Sequence, residues 1–220
     1  MRIRYKKWAR PELDEAIFFE NNPENYKGKW KDRFENKELP ICVELGCGKG
    51  GFISKLAVNH EEINFIAIDM IDAMLGLAKR NIEKEYKDNN KDINNVILTR
   101  YNIERISNIF SKEDNIERIY INFCNPWPRG KHNKRRLTHP RQLIQYKEFL
   151  KEKGCIYFKT DDDDLFNASL EYFESENFKI LKKTFDLANE SDFWENIETE
   201  HEKMFKEQEI KIKALIAEKE

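Results

Sequence analysis

Short β-branched runs alternate with longer amphipathic stretches along most of this chain, and that alternation constrains the fold more than any other feature. Residues 41–45, 64–68, 96–100, 118–123 and 155–160 read as strands, while 51–59, 71–86, 140–153 and 165–176 read as helices. Parallel strands joined through helices need crossovers of one hand, so the pattern predicts a mostly parallel sheet with helices on both faces. Residues 87–95, rich in Asn, Asp and Lys, read as a solvated connector because the alternation resumes directly after them. Beyond Phe178 the pattern changes. Residues 179–185 are strand-like and 186–197 irregular, and 209–217 place Ile210, Ile212, Ala214 and Ile216 at the spacing of a half-buried strand. Two final strands without a long helix between them predict an antiparallel addition to the sheet edge.

The expected architecture is therefore α/β: a Rossmann-like, doubly wound, mostly parallel seven-stranded sheet with an antiparallel strand at the C-terminal end. It should form a single domain over residues 1–220, with a basic N-terminal extension at about 1–35. The chain opens Met-Arg-Ile-Arg-Tyr-Lys-Lys with no apolar stretch behind it, and no apolar run approaches the ~20 residues of a membrane span. These features predict a cytoplasmic protein with no membrane contact. Cys42, Cys47, Cys124 and Cys155 show no C-x-x-C spacing and read as reduced core thiols, with no metal site. Net charge is only −2, but its distribution is uneven. Residues 1–10 carry five basic side chains and no acid, and residues 129–141 carry six and no acid, so the rest of the chain is acidic. Polarity of this kind is the electrostatic footprint for a phosphate backbone.

The strand at 41–45 runs into Gly46-Cys-Gly-Lys-Gly-Gly51 and then a helix. Glycines at such a turn let the backbone bend sharply and leave room for a ligand against the main chain. Gly46, Gly48 and Gly51 also match the dinucleotide pattern G-x-G-x-x-G. Glu44 weighs against a dinucleotide, because its carboxylate would repel a pyrophosphate. S-adenosylmethionine carries a sulfonium and an ammonium and no phosphate, so an acid there favours it. Asp69, closing the next strand, suits the two ribose hydroxyls of an adenosine.

The strand at 118–123 ends in Cys124-Asn-Pro-Trp-Pro-Arg-Gly-Lys-His-Asn-Lys-Arg-Arg-Leu137, at the sheet edge where such folds place their chemistry. Asn125-Pro-Trp127 offers a fixed polar group beside a flat apolar face, suited to a base, and Lys134, Arg135 and Arg136 would hold the RNA backbone. With Glu44-Leu-Gly-Cys-Gly-Lys-Gly50, Lys159-Thr-Asp161 and Thr199-Glu-His-Glu202, this set resembles the bacterial tRNA (guanine-N7-)-methyltransferases along nearly the whole chain. The resemblance implies that Glu44, Asp69 and Asn102 contact the cofactor, beside Gly46 and Gly48, and that Asn125 lies between cofactor and target. It further implies that Arg129, Asp161 and Thr199, Glu200, His201 and Glu202 contact a tRNA methylated in its variable loop. Three positions depart from the commoner family pattern: Asn125 is usually Asp, Asp69 often Glu, and Asn102 often Asp.

Guanine N7 has an in-plane lone pair and no proton to lose, so its methylation needs no general base. The expected contribution of the protein is alignment plus electrostatics, with Asn125 as the residue placed to act at the reacting atoms. The competing expectations are a methyltransferase of the same fold acting on another RNA or a small molecule, and an RNA-binding module without catalysis. Either a monomer or a homodimer is compatible with the sequence.

Overall fold

In a computed structural model of the chain, residues 4–190, 193 and 197–220 are described. Arg2, part of the irregular stretch at 186–197, and the side chain of Glu200 lie outside the described residues. The apolar runs form strands β2 (Ile41–Leu45), β3 (Asn64–Asp69), β4 (Val96–Arg100), β5 (Ile116–Asn122) and β6 (Leu150–Thr160), preceded by a two-residue β1 (Phe19–Glu20). Helix α1 (Ala9–Asp14) comes before them. Helices α2 (Ile53–Asn59), α3 (Asp72–Asp88) and α4 (Pro140–Phe149) lie between strands, and α5 (Asp163–Ser175) follows β6. The chain ends in β7 (Phe178–Thr184), α6 (Glu200–Glu207) and β8 (Lys213–Lys219).

The strands form one sheet in the order β1-β4-β3-β2-β5-β6-β8-β7, with β8 antiparallel to both neighbours. The β2–β5 pair, across which the strand order reverses direction, is the crevice where open α/β sheets receive ligands. Every residue of β2 is buried, as expected for a central parallel strand covered on both faces. Leu13, Phe18, Phe19, Trp30 and Phe34 join the same core, so residues 13–34 pack into the domain. Asp114 accepts from the backbone N–H groups of Gly28 and Trp30 at 2.9 and 3.1 Å, pinning that segment. The acid run 161–164 starts α5: Asp162 accepts from the Leu165 N–H at 2.7 Å, and Asp163 and Asp164 fill the first turn.

The structure departs from the sequence reading in four places. Among the described residues the sheet has eight strands rather than seven, because Phe19 and Glu20 add a parallel edge beside Leu98 and Thr99. Two residues are too few for a periodicity to register. The helix expected to reach 153 stops at Phe149, and Leu150 begins an eleven-residue strand. Pairing shifts register between Ile116 and Arg118, and Lys153 is left-handed at φ +59°, so residues 150–154 form an irregular entry to β6. The last two strands join the β6 edge as the expected antiparallel addition, but β8 lies between β6 and β7, so both its faces are buried where one was expected. Finally, α6 lies in the stretch between the two last strands, where the sequence predicts no helix.

The glycine turn is tightly tied to this framework. Gly50 has φ +72°, and a Cβ there would lie 2.8 Å from the Ala78 Cβ and 2.9 Å from its Cα on α3. Gly50→Ala should lower unfolding stability in urea by about 2–4 kcal/mol, combining overpacking with a left-handed side-chain residue. Gly48, at φ +54° but with open space around its Cβ position, should lose only about 1–2 kcal/mol as Ala. Equal losses would mean that α3 does not press on the turn.

Candidate functional site

Four adjacent parallel strands deliver the residues expected at the cofactor site to one edge. Asn102 follows β4, Asp69 ends β3, Glu44 to Gly48 end β2, and Asn125 follows β5. The turn after β2 is fixed by its backbone: the Gly46 and Cys47 N–H groups donate to the Ile68 carbonyl at 2.8 and 3.0 Å. Gly46 and Gly48 are left-handed, at φ +80° and +54°. The Gly48 N–H donates to Asp69 Oδ2 at 3.0 Å, and the Ile71 N–H donates to Asp69 Oδ1 at 2.9 Å. Burial nevertheless raises the Asp69 pKa above its ordinary value. Asn102 caps the following 3-10 turn by accepting from the Glu104 N–H at 3.0 Å.

Glu44 is 2% exposed. Its Oε1 accepts from Asn122 Nδ2 at 3.0 Å, while its Oε2 is buried with no donor among the described residues. Desolvation pushes its pKa up to about 7, against the opposing pull of the Asn122 hydrogen bond and the Lys159 charge; Asp69 adds a smaller upward push. A buried acceptor oxygen beside an open glycine turn fits a cationic ligand and would repel a pyrophosphate.

The reaction loop leaves β5 through two left-handed residues, Phe123 at φ +49° and Trp127 at +44°. Such conformations persist where surrounding bonds hold them. Here the Phe123 N–H donates to the Lys159 carbonyl at 2.9 Å, and the Trp127 N–H donates to Asn125 Oδ1 at 3.0 Å. Asn125 is exposed and shapes this turn with its own side chain. Arg129, Lys131, Lys134, Arg135 and Arg141 are all exposed. The Arg135 guanidinium lies 5.1 Å over the Trp127 ring, and His132 packs 5.8 Å from the same ring. Arg136 differs. It is 5% exposed and its Nε donates to the Pro126 carbonyl at 2.8 Å, so it braces the loop from within and does not face a phosphate.

The Thr199–Glu202 stretch starts α6 as a capping box. The Glu202 N–H donates to Thr199 Oγ1 at 3.1 Å and the Thr199 N–H donates to Glu202 Oε2 at 2.6 Å. Thr199 and Glu202 are both buried, which removes them from direct contact with an incoming macromolecule; their placement is that of a support. His201 is exposed and stacks on Phe123 at 5.7 Å, with Phe205 at 5.7 Å from the same Phe123 ring. Asp161 is half-buried at the end of β6, its carbonyl accepting from Lys213 Nζ at 2.9 Å. Sequence reasoning names Lys159 only as part of the Lys159-Thr-Asp161 motif, without a role, and passes over Asn122. Lys159 is fully buried and pairs with Glu202 Oε2 at 2.9 Å; a lysine amid the apolar run of β6 is the signal that such a partner exists. Asn122 carried no sequence signal, because a polar residue at a strand end is ordinary.

The chain is similar to known proteins along its length. A family model described as "Putative methyltransferase" matches residues 38–215. The tRNA (guanine-N(7)-)-methyltransferases of Clostridium beijerinckii and Clostridium perfringens are 60% and 57% identical to it, each covering 100% of both chains. Among solved structures, the 16S rRNA methyltransferase KamB superposes with a TM-score of 0.59 at 12% identity, covering 81% of this chain and 87% of its own. An antibiotic-related methyltransferase superposes with a TM-score of 0.55 at 16% identity, covering 100% and 96%. At these identities the solved structures share the fold.

Burial of Glu44 has a consequence for stability. Its native pKa of about 7 stands above the ordinary 4.5, so the folded state holds this proton more tightly than the unfolded chain does. The contribution is full below pH 4.5 and is lost as pH rises through 7, a swing of about 3 kcal/mol. Glu44→Gln removes that titration. Its stability relative to the parent should therefore rise by up to about 3 kcal/mol between pH 5 and pH 8 in urea melts. A constant offset would show that Glu44 does not titrate as a buried acid.

Proposed function

The chain belongs to the tRNA (guanine-N(7)-)-methyltransferase family, and we propose that it methylates N7 of a guanine in the variable loop of tRNA, with S-adenosylmethionine as donor. The observation that carries the cofactor assignment is the buried Glu44 Oε2, without a donor among the described residues and beside an open glycine turn. Glu44 and the backbone of Gly46 and Gly48 would hold the methionine end of the cofactor. Asp69 and Asn102, at the ends of the two neighbouring strands, would hold the adenosine. The cofactor supplies an electrophilic methyl group.

The remaining work falls to the protein. N7 has no proton to lose, so no residue need act as a base; alignment of the two reactants is the main contribution, worth up to ~7–11 kcal/mol in favourable systems. Phe123, held left-handed and stacked on His201, presents a flat aromatic edge beside the Asn125 turn. The exposed cations Arg129, Lys131, Lys134 and Arg135 follow that turn and would track the RNA backbone, and Asp161 and His201 would add contacts to the RNA. Asn125 would face the positive charge that builds on the purine with its side-chain dipole.

Incubation with S-adenosylmethionine and unfractionated tRNA, followed by nucleoside mass spectrometry, should show 7-methylguanosine confined to variable-loop fragments. Asn125→Asp should match or exceed the parent, since it keeps the acceptor for the Trp127 N–H and adds charge. Asn125→Ala should lower kcat with less effect on the tRNA KM, the pattern of an interaction made in the transition state. A parental kcat in Asn125→Ala would reduce Asn125 to a turn residue.

Salt dependence of tRNA binding separates the basic side chains. Lys134→Ala with Arg135→Ala should flatten the slope of log affinity against log salt by roughly 0.7–0.9 for each phosphate left without its cation. Arg136→Ala should leave that slope alone and lower the melting temperature, because its guanidinium supports Pro126. An Arg136 effect on slope equal to that of Lys134 would overturn this division.

A further inference from the structure

A row of polar side chains crosses the sheet beneath the reaction edge. Glu44 on β2, Asn122 on β5 and Lys159 on β6 occupy neighbouring strands, with Asn122 directly paired to Lys159 in register. Asn122 Nδ2 donates to Glu44 Oε1 at 3.0 Å. Lys159 Nζ donates to Glu202 Oε2 at 2.9 Å and to the Ile197 carbonyl at 3.4 Å. The same Glu202 oxygen takes the Thr199 N–H at 2.6 Å and so closes the cap of α6. Lys159 is 0% exposed and Glu202 1%. The ammonium also lies 5.1 Å from the Phe52 ring and 5.8 Å from the Phe123 ring.

A fully buried lysine and glutamate are costly to keep when a pair of apolar residues would fill the same space. The pair sits between Phe52, just past the glycine turn, and the start of the helix that carries His201. We propose that Lys159 is a positioning residue, one that favours the ionised form of the cofactor carboxylate Glu44 on one side and holds the His201-bearing start of α6 in place on the other. This rests on the assignment of Glu44 to the cofactor. The ammonium stabilises negative charge at Glu44 from across Asn122, and anchors Glu202 so that His201 stays stacked on Phe123.

The groups that set this balance come from every neighbouring element. Glu44 faces Lys159 from β6 and Asp69 from β3, with the Cys47 thiol beside it. Burial holds Cys47 well above its ordinary pKa, so it stays neutral through the working range. Lys159 faces Glu202 and Glu198 near α6 and Glu44 from β2. Without the ammonium, Glu44 keeps its proton to higher pH, and a cationic cofactor meets a neutral acid.

The test measures S-adenosylmethionine binding by calorimetry from pH 6 to 9, with tRNA kinetics and thermal melts alongside. In Lys159→Met the acid-side fall in cofactor affinity should move to higher pH. The tRNA KM should rise within the range of about 5–150-fold typical of coupled sites, with kcat changing less. Lys159→Arg, which keeps the charge, should retain the parental pH midpoint. If Lys159→Met does not fold, Lys159→Met with Glu202→Gln removes both charges while keeping a cap acceptor, and should show the same upward shift. A folded variant with parental midpoint and parental tRNA KM overturns the inference. The Glu44→Ala variant distinguishes the two levels. Parental cofactor affinity there sinks the cofactor assignment itself, whereas lost affinity beside an unmoved Lys159→Met midpoint sinks only the role of Lys159.

Discussion

Burying the Glu44 carboxylate at the carboxyl end of the central strand imposes conditions on everything near it. The interior of a sheet covered on both faces offers no water, and an acid placed there is pushed toward its neutral form. The chain answers with one neutral donor from the adjacent strand, Asn122, and one cation a strand further out, Lys159. Neither satisfies the second oxygen. The glycine turn beside that oxygen stays open at Gly48 while closing against α3 at Gly50, where a Cβ would be crowded. A site of this kind is strained until its charge is matched from outside, and such strain is tolerated where binding relieves it.

The loop after β5 divides its labour between residues of one type. Its run of cations looks uniform in sequence, but Arg136 turns inward to a backbone carbonyl while its neighbours remain in solvent. The inward arginine holds Pro126, and the proline follows the left-handed and capped residues that set the direction of Trp127. The outward cations then project from a fixed platform instead of a floppy loop. A rigid frame of this sort reduces the ordering cost that a polyanion would otherwise impose on binding.

Periodicity made the sheet legible, because a parallel strand buried on both faces is an apolar run that can hardly be anything else. The glycine turn was legible from its residues, and the carboxylate two residues before the first glycine weighed against a dinucleotide on grounds of charge. What stayed hidden depended on contacts distant in sequence. The burial of Thr199 and Glu202 at the start of α6 goes with Lys159, some forty residues earlier on β6. The helix they start was nonetheless written in the chain, as Thr199 with Glu202 three places on is a capping box. Arg136 was misjudged because a run of like charges says nothing about which member faces inward. The edge pairing of Phe19 and Glu20 depends on β4 alone and left no local trace.

The outer strand β7 lies beyond β8, and among the described residues no other strand pairs with its far side. Lys179 and Lys183 are exposed along it, and Lys182 reaches back to the Phe193 carbonyl at 3.2 Å. At the opposite edge, β1 is only two residues long. Ladders of this fold therefore end in a short stub on one side and a lysine-studded rim on the other, and neither makes a good template for a second sheet. Edges of this kind keep copies of the chain from zippering together as they accumulate at high concentration.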